Sequence, residues 1–254
     1  MIAIISPAKR LDLKSDLTVS TFTIPEDLER SEQLINKLRK TSRKKIGELM
    51  GLSQDLTRLN IDRYATWSPD MTLETARQSI FTFDGEVYRG IDIPNLSETD
   101  LNYAQDYLAI LSGLHGLLRP LDLIKPYRLE MGTKISMGRR KNLYDFWGDR
   151  VTDRLNFQLE KTSSDVLINL ASSEYTKVIN FNKLNARVIT PVFMDLKNGE
   201  FKVLVVYAKQ ARGMMSRYII ENKIKAPDEL KCFEGGGYRF TESLSVGDKW
   251  VFTR

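Results

Sequence analysis

The stretch RVITPVFMDLKNGEFKVLVVYA, residues 187–208, carries the pattern that decides the expected fold. Two apolar runs flank Asn198-Gly199, a dipeptide typical of the type I′ turn that closes an antiparallel β-hairpin. Elsewhere the chain alternates strand-like and helical patterns, which alone would favour a doubly wound parallel sheet. The hairpin breaks that alternation. We therefore predict an α+β fold, a single domain with a mixed β-sheet surrounded by helices.

The rest of the chain predicts the elements around this hairpin. Short apolar runs predict buried strands at residues 2–6 and 166–170, and residues 238–254 predict two closing strands. Helical spacing of apolar residues predicts helices at 27–40, 42–50, 54–67, 71–81, 97–111, 142–161 and 209–223. Ser97 with Asp100 forms a capping-box variant, and Gly148 is a weak point within its helix. No repeat, low-complexity tract or linker interrupts these elements, so we predict one domain over residues 1–254.

Composition narrows the classes of site that the chain can build. The single cysteine permits no intramolecular disulfide, and one histidine with one cysteine excludes a His/Cys-rich zinc or iron site. We expect no metal centre, and no cofactor because neither a P-loop nor a GxGxxG fingerprint is present. No apolar run approaches the roughly 20 residues of a spanning helix, which predicts a cytoplasmic protein without a membrane partner. The net charge of +5 permits a nucleic-acid partner without demanding one.

A basic segment followed by a tight turn indicates a possible DNA-binding element. Six of the nine residues from 37 to 45 are basic, and the turn comes directly after them at Gly51-Leu52-Ser53. In a helix–hairpin–helix module, backbone N–H groups of the turn meet phosphates while basic side chains flank them, here Arg43, Lys44 and Lys45. Ser53 replaces the second glycine of that pattern, and Thr57 stands where alanine is usual. The alternative is a solvated basic helix followed by an ordinary turn that Ser53 caps.

Three predicted strand ends run into polar or basic residues. Lys9 follows the first strand, Ser173 and Glu174 follow the strand at 166–170, and Lys209 with Arg212 follows the second strand of the hairpin. Strand-to-helix junctions expose backbone N–H groups, and a nearby cation completes an anion site. The three junctions therefore predict a cleft that holds phosphate. The alternative is that the lysines sit at junctions by chance.

The segment LSGLHGLLRPLDLIKPYRLEMG, residues 111–132, is a glycine- and proline-punctuated apolar loop. Its leucines anchor it in the core, so that Arg119 and Arg128 are held in place and can face a phosphate. Equally, both arginines can be buried ion-pair partners of structural value only. The carboxylates Asp84, Glu86 and Glu130 are candidates for acid/base work or for orienting these arginines, although structural pairing is the commoner role.

Seven segments in this order resemble the YaaA peroxide-stress protein family: ISPAK, FDGEVY, the loop at 111–132, LYDFW, NLASSEY, YAKQARGMMSRYII and WVFTR. The resemblance runs from residue 2 to residue 254. It implies a cytoplasmic bacterial protein that protects against hydrogen peroxide and limits harm from intracellular iron. It also implies an unusual single-domain α+β fold and DNA binding through a positively charged cleft and a helix–hairpin–helix element.

Carried onto this chain, the resemblance gives two groups of DNA-binding residues. The hairpin group is Arg43, Lys44, Lys45, Gly51, Leu52 and Ser53. The cleft group is Lys9, Arg119, Arg128, Lys209 and Arg212. No catalytic activity comes with the resemblance. The first hypothesis is therefore binding of duplex or junction DNA, largely without sequence specificity, in the oxidative-stress response.

The second hypothesis is an enzyme that acts on a nucleotide or a nucleic acid. Lys9, Arg119, Arg128 and Lys209 would hold phosphate, and Asp84, Glu86 or Glu130 would act as acid or base. This hypothesis predicts one deep cleft where these residues meet, and at least one carboxylate with a raised pKa. Direct iron sequestration is a weak third hypothesis, because it needs clustered ligands that one histidine cannot supply.

Overall fold

A mixed β-sheet forms the centre of the molecule. The structure is a computed structural model that describes residues 1–15 and 19–254. Within that part of the chain the sheet has eight strands: β1 (Ile2–Ile5), β5 (Leu108–Ser112), β6 (Gly116–Leu118), β8 (Val166–Asn169), β9 (Arg187–Lys197), β10 (Glu200–Lys202), β11 (Arg239–Phe240) and β12 (Lys249–Thr253). Two short ladders lie apart from it, β2 (Arg10–Leu11) with β4 (Phe83–Asp84), and β3 (Arg77–Gln78) with β7 (Leu123–Ile124).

The order of strands across the sheet is β11-β12-β9-β8-β1-β5-β6, and β10 pairs with β9. The five central strands β12, β9, β8, β1 and β5 run parallel, whereas β6, β10 and β11 are antiparallel to their neighbours. Strand β1 is buried along its whole length, which is why it reads as a continuous apolar run. This confirms the prediction of a single-domain α+β fold with a mixed sheet.

Helices surround the sheet, as expected. They are α1 (Leu28–Arg39), α2 (Arg43–Met50), α3 (Gln54–Thr66), α4 (Ser79–Thr82), α5 (Glu86–Ile91), α6 (Glu98–Tyr107), α7 (Leu143–Trp147), α8 (Arg150–Lys161), α9 (Ser173–Thr176) and α10 (Val205–Glu221). The Ser97 and Asp100 capping box is present at the start of α6. Gly148, at a φ of 53°, separates α7 from α8, so the expected weak point is a break.

Three of the predicted elements are wrong. Residues 71–76 form no helix; Arg77 and Gln78 pair with β7 instead, and the Gln78 side chain donates to the carbonyls of Val19 and Thr21 at 3.1 and 3.0 Å. The hairpin at Asn198-Gly199 is present, but its second strand ends at Lys202 and α10 begins at Val205. The helix predicted at 97–111 ends at Tyr107, and the residues after it form β5, which pairs with β1. In all three places tertiary contacts outweigh local propensity.

A close glycine contact joins α10 to α5. A Cβ atom on Gly213 would lie 1.9 Å from the carbonyl oxygen of Val87, and one on Gly90 would lie 2.2 Å from that of Gln210. The two backbones therefore touch, as only glycine permits. This contact fixes α10 as a helix beside α5 and overrides the strand-like run of valines at its start.

The sheet has a topological switch point between β1 and β8. The next strand of the sheet after β1 along the chain is β5, on one side, whereas β9 follows β8 on the opposite side. Ligands of open α/β sheets bind in the crevice at the carboxyl ends of the strands where the order reverses in this way. A ligand site is therefore expected in the crevice beyond the carboxyl ends of β1 and β8.

Candidate functional site

A cleft of about 630 Å³, here named the central cleft, opens at the carboxyl ends of β1 and β8. The segments that follow these two strands, residues 6–10 and 170–175, supply two of its walls. Residues 84–89, residues 127–130 and α10 supply the others. The cleft is thus built where the strand order reverses.

The central cleft brings together most of the predicted site residues. Its cationic lining includes Lys9, Arg128, Lys209 and Arg212, and its carboxylates include Asp84, Glu86 and Glu130. Sequence reasoning gave no site role to Arg89, which also lines the cleft, although Arg89 lies three residues beyond Glu86. In all, six cations and four carboxylates among the described residues line the cleft, an excess of two positive charges: Lys9, Arg10, Arg89, Arg128, Lys209 and Arg212 against Asp84, Glu86, Glu130 and Glu174.

The assignment of Arg119 to this cleft is wrong. Its Nη2 lies 3.6 Å from Oδ1 of the buried Asp122, and both residues line a separate, small cavity beside α8. The Asp122 carboxylate also accepts the backbone N–H of Arg119 at 2.7 Å. Of the two readings for the loop arginines, structural pairing therefore describes Arg119.

The third predicted strand-to-helix junction is absent, although Lys209 and Arg212 line the cleft. Lys209 and Arg212 do not follow a strand; they lie on α10, three residues apart and therefore on one face of the helix. Their position on the cleft wall follows from the contact of α10 with α5.

Glu130 lies between two cations of the cleft wall. Its Oε1 is 3.0 Å from Nη2 of Arg128 and 3.4 Å from Nζ of Lys9. The side chains of Glu130 and Arg128 are only 14% and 17% exposed. The second oxygen, Oε2, is buried, and no donor reaches it from the described residues. A buried carboxylate oxygen without a donor is unusual, since such groups are normally satisfied.

The loop that carries Arg128 and Glu130 is held rigidly. A Cβ on Gly113 would lie 2.2 Å from the carbonyl oxygen of Leu129, so this glycine lets the loop pack backbone against backbone. Trp147 donates its indole N–H to Gly113 at 3.0 Å. The Tyr64 hydroxyl, from α3, donates to the carbonyl of Arg128. His115 is fully buried, with Nδ1 2.9 Å from the Ser31 hydroxyl, and burial lowers its pKa to about 3. The glycine-rich loop is thus a rigid support for Arg128 and Glu130.

A second ion-pair network forms the opposite wall. Arg89 lies 3.5 Å from Oδ1 of Asp84 and 2.7 Å from Oε1 of Glu86, and Arg10 pairs with Asp84. Gln210 of α10 donates to Oε2 of Glu86 at 2.6 Å. Asp84 and Glu86 are therefore committed to structural partners, the commoner of the two roles considered for them.

Two cations on the α10 side remain without a carboxylate. Neither Lys209 nor Arg212 forms an ion pair or a side-chain hydrogen bond with the residues that the structure describes. Arg212 is partly buried, and its desolvation lowers the pKa of the guanidinium below its usual value. A cation held in this state is stabilised by an incoming anion.

The floor of the cleft is aromatic and polar. Tyr88, Tyr127 and Tyr175 line it and are almost fully buried. Burial raises the pKa of each hydroxyl, so all three stay neutral at physiological pH. The ends of β1 and β8 are tied together because the backbone N–H of Ser172 donates to the Ser6 hydroxyl at 2.9 Å.

The basic segment at 37–45 leads into a helical hairpin, here defined as α2, the turn Gly51-Leu52-Ser53 and α3. The last three residues of the segment are the first residues of α2. Gly51 adopts the left-handed conformation, with a φ of 60°, and the N–H of Leu52 donates to the Gly47 carbonyl at 3.0 Å. The Ser53 hydroxyl accepts the N–H of Leu56 at 3.3 Å as the cap of α3. Thr57 fits because Gly47 faces it; a Cβ there would lie 3.1 Å from the Thr57 hydroxyl. The two helices and tight turn are as predicted.

Two features that the described residues lack bear on the site. These residues contain no group of three or more His, Cys, Asp or Glu side chains arranged to hold a metal ion. They also contain no helix that is both long enough and apolar enough to cross a membrane.

Comparison with known proteins gives the family. The family described as "Peroxide stress protein YaaA" matches residues 1–244. A "UPF0246 protein" of Ralstonia pickettii (strain 12J) is 50% identical over 254 residues, which cover 100% of this chain and 99% of that relative. The match spans β1 and α10 alike, and with them every wall of the central cleft. The chain belongs to the YaaA family of peroxide stress proteins.

Proposed function

We propose that this protein binds duplex or junction DNA, largely without sequence specificity, as its part in the peroxide-stress response. The observation that carries the proposal is the exposed basic surface at the helical hairpin. Lys37, Lys40, Arg43 and Lys44 form no ion pair with the described residues, and Lys45 lies 3.9 Å from Glu48. Free cations beside a helix N-terminus are the usual means of contacting DNA phosphates.

The helical hairpin is connected to the central cleft through α3. Ser53 caps the N-terminus of α3. Near the C-terminus of α3, the Tyr64 hydroxyl donates a hydrogen bond to the carbonyl of Arg128 in the cleft wall. Thirteen helical residues span about 20 Å, and one strand of a duplex carries a phosphate about every 3.4 Å measured along the duplex axis. A duplex whose axis ran parallel to α3 would therefore have roughly six phosphates of one strand between the hairpin and the cleft. This distance supports a single extended surface in which both predicted groups of residues take part.

The test is the fluorescence anisotropy of a labelled duplex across a salt series. Binding through phosphates loses affinity with a log–log salt slope of about −0.9 for each phosphate neutralised. Replacing Arg43, Lys44 and Lys45 with alanine should weaken binding to all sequences alike and reduce the slope by up to about 2.7. The matched control replaces Lys197, Lys202 and Lys225 with alanine. These lysines are exposed and lie outside the hairpin, so their replacement removes the same charge. Equal slopes for the two triple variants would remove the hairpin from the interaction.

A second candidate function is an enzyme that acts on a nucleotide or a nucleic acid. The gathering of Arg128, Lys209 and Glu130 in one cleft at the topological switch point favours it. The enzyme hypothesis predicts a carboxylate with a raised pKa in the cleft. Burial raises the pKa of Asp122, but Asp122 lies with Arg119 in the separate cavity. The enzyme therefore ranks second. Incubation of the protein with nucleotides and with DNA, followed by chromatography of the products, tests it; unchanged substrates would refute it.

A further inference from the structure

The size of the central cleft decides what can enter it. Pockets of about 300–1,000 Å³ enclose ligands of the size of a nucleotide, and this cleft has about 630 Å³. A duplex, whose major groove alone is about 12 Å wide, does not fit inside such a volume. Duplex DNA can therefore lie across the mouth of the cleft but cannot fill it.

The unsatisfied groups inside the cleft specify two features of its ligand. Oε2 of Glu130 is buried and receives no donor from the described residues. The other oxygen, Oε1, is the one that contacts Lys9 and Arg128. A carboxylate accepts hydrogen bonds and does not donate, so a ligand that binds Glu130 must bring an N–H or O–H group to it.

The α10 side of the central cleft is suited to bind an anion. Arg212 and Lys209 project from α10 without a carboxylate partner among the described residues, whereas Arg10 and Arg89 are paired with Asp84. A phosphate satisfies a guanidinium and an ammonium together, through charge-assisted hydrogen bonds.

From these groups we infer that the central cleft is a binding site for a single nucleotide, with the phosphate on Lys209 and Arg212 and an N–H of the base or an O–H of the sugar on Glu130. The inference rests on the proposed DNA binding for its source of nucleotide. DNA then enters as one unstacked residue, at a mismatch, a junction or a strand end, where removing a base from the stack costs least. The helical hairpin holds the flanking backbone.

The test titrates the full-length protein calorimetrically with the four deoxynucleoside 5′-monophosphates, inorganic phosphate and the four deoxynucleosides. Because both walls contribute, at least one monophosphate should bind 10-fold or more tightly than either phosphate or its own nucleoside. Glu130→Gln removes the negative charge and replaces one of the two acceptor oxygens with an NH₂ donor. This variant should lose about 10- to 100-fold in affinity for the nucleotide, as expected for a charged hydrogen bond, and bind phosphate as before.

Three further variants complete the test: two at Arg212 probe the phosphate, and one is a control. Arg212→Met should lose phosphate binding, and Arg212→Lys, which keeps the charge, should retain part of it. Glu160→Gln, an exposed position on α8 away from the cleft, is the matched control and should bind like the unmodified protein. Circular dichroism and thermal unfolding confirm that each variant is folded before it is titrated.

The outcomes separate this inference from the proposed function. Nucleotide no tighter than phosphate, or Glu130→Gln without effect on nucleotide affinity, overturns the inference, even where the duplex binds in the anisotropy assay. A duplex that fails to bind while the monophosphate binds with the expected dependence on Glu130 and Arg212 refutes duplex binding and supports the nucleotide site.

Discussion

Replacing Gly213 with alanine should force α10 and α5 apart. The new Cβ would lie 1.9 Å from the carbonyl oxygen of Val87 and 2.8 Å from Cα of Gly90. Both are backbone atoms, which cannot turn aside as a side chain can. To restore a contact of 3.4 Å, the helices must separate by about 1.5 Å.

Two opposing contributions set the magnitude. Overpacking of a buried contact costs about 1–3 kcal/mol and occasionally more, and a clash with backbone belongs at the upper end. Alanine within a helix gains roughly 0.5–1 kcal/mol over glycine. The net loss in the free energy of unfolding is about 2 kcal/mol or more. For a domain of this length that lowers the melting temperature by roughly 4–8 °C.

The assay is urea unfolding, with Gly47→Ala as the matched control. Gly47 also lies within a helix, but its Cβ would meet the Thr57 hydroxyl at 3.1 Å, where a side chain can yield. The control should therefore be close to neutral. A Gly213→Ala variant within 0.5 kcal/mol of the unmodified protein would refute the reasoning, since it would mean that the backbones are not in contact.

Three other substitutions probe buried or capping contacts of the fold. Burial lowers the pKa of His115 to about 3, below its value in the unfolded chain. The unfolded chain therefore binds the extra proton, and the free energy of unfolding falls as the pH drops from about 6.5 towards 3, by up to roughly 1.4 kcal/mol per pH unit. Urea titrations at several pH values should show this slope, and His115→Gln should lack the part of it that His115 contributes. Tyr64→Phe leaves the Arg128 carbonyl without its donor, and a loss of about 1–3 kcal/mol is expected in the same assay, whereas no loss would mean that water replaces the hydroxyl. Ser97→Ala removes the capping box of α6 and should lower the free energy of unfolding by about 1 kcal/mol; an unchanged value would show that the cap contributes nothing.

Patterns that depend on neighbouring residues were sufficient for much of the fold. The run of apolar residues in β1, the Asn198-Gly199 turn and the Ser97 capping box each act within a few residues, and each is present as predicted. The break at Gly148 belongs to the same class. Local steric and hydrogen-bonding preferences decide such features, so one sequence is enough to infer them.

Features decided by distant contacts were not predictable in the same way. The valines of residues 203–206 read as a strand, and only the contact of Gly213 with Val87 shows why the chain is helical there. Arg119 and Arg128 belong to one loop and have the same chemistry. Their roles differ because Asp122 lies beside the first and Glu130 beside the second, a matter of loop geometry that spacing does not encode.

The candidate site was predicted better by chemistry than by topology. Lys9, Arg128, Lys209 and Glu130 were selected as charged residues near strand ends or in a rigid loop, and all four line the central cleft. The reason offered for Lys209 was wrong, since no strand ends before it and α10 already begins at Val205. The unsatisfied oxygen of Glu130 could not be foreseen, because it depends on which donors the folded chain fails to bring near it.

The position of β1 in the sheet has a consequence for synthesis of the protein. This strand is translated before β5 and β8, yet it lies between them, and residue 166 is translated roughly 8–33 s after it at 5–20 residues per second. Until then the apolar edge of Ile2–Ile5 has no partner on that side. The nascent chain must therefore keep one edge of an apolar strand unpaired for many seconds, and unpaired strand edges are prone to aggregate. A stress that halts translation midway would leave this protein at its most vulnerable, with β1 exposed and the cleft without a second wall.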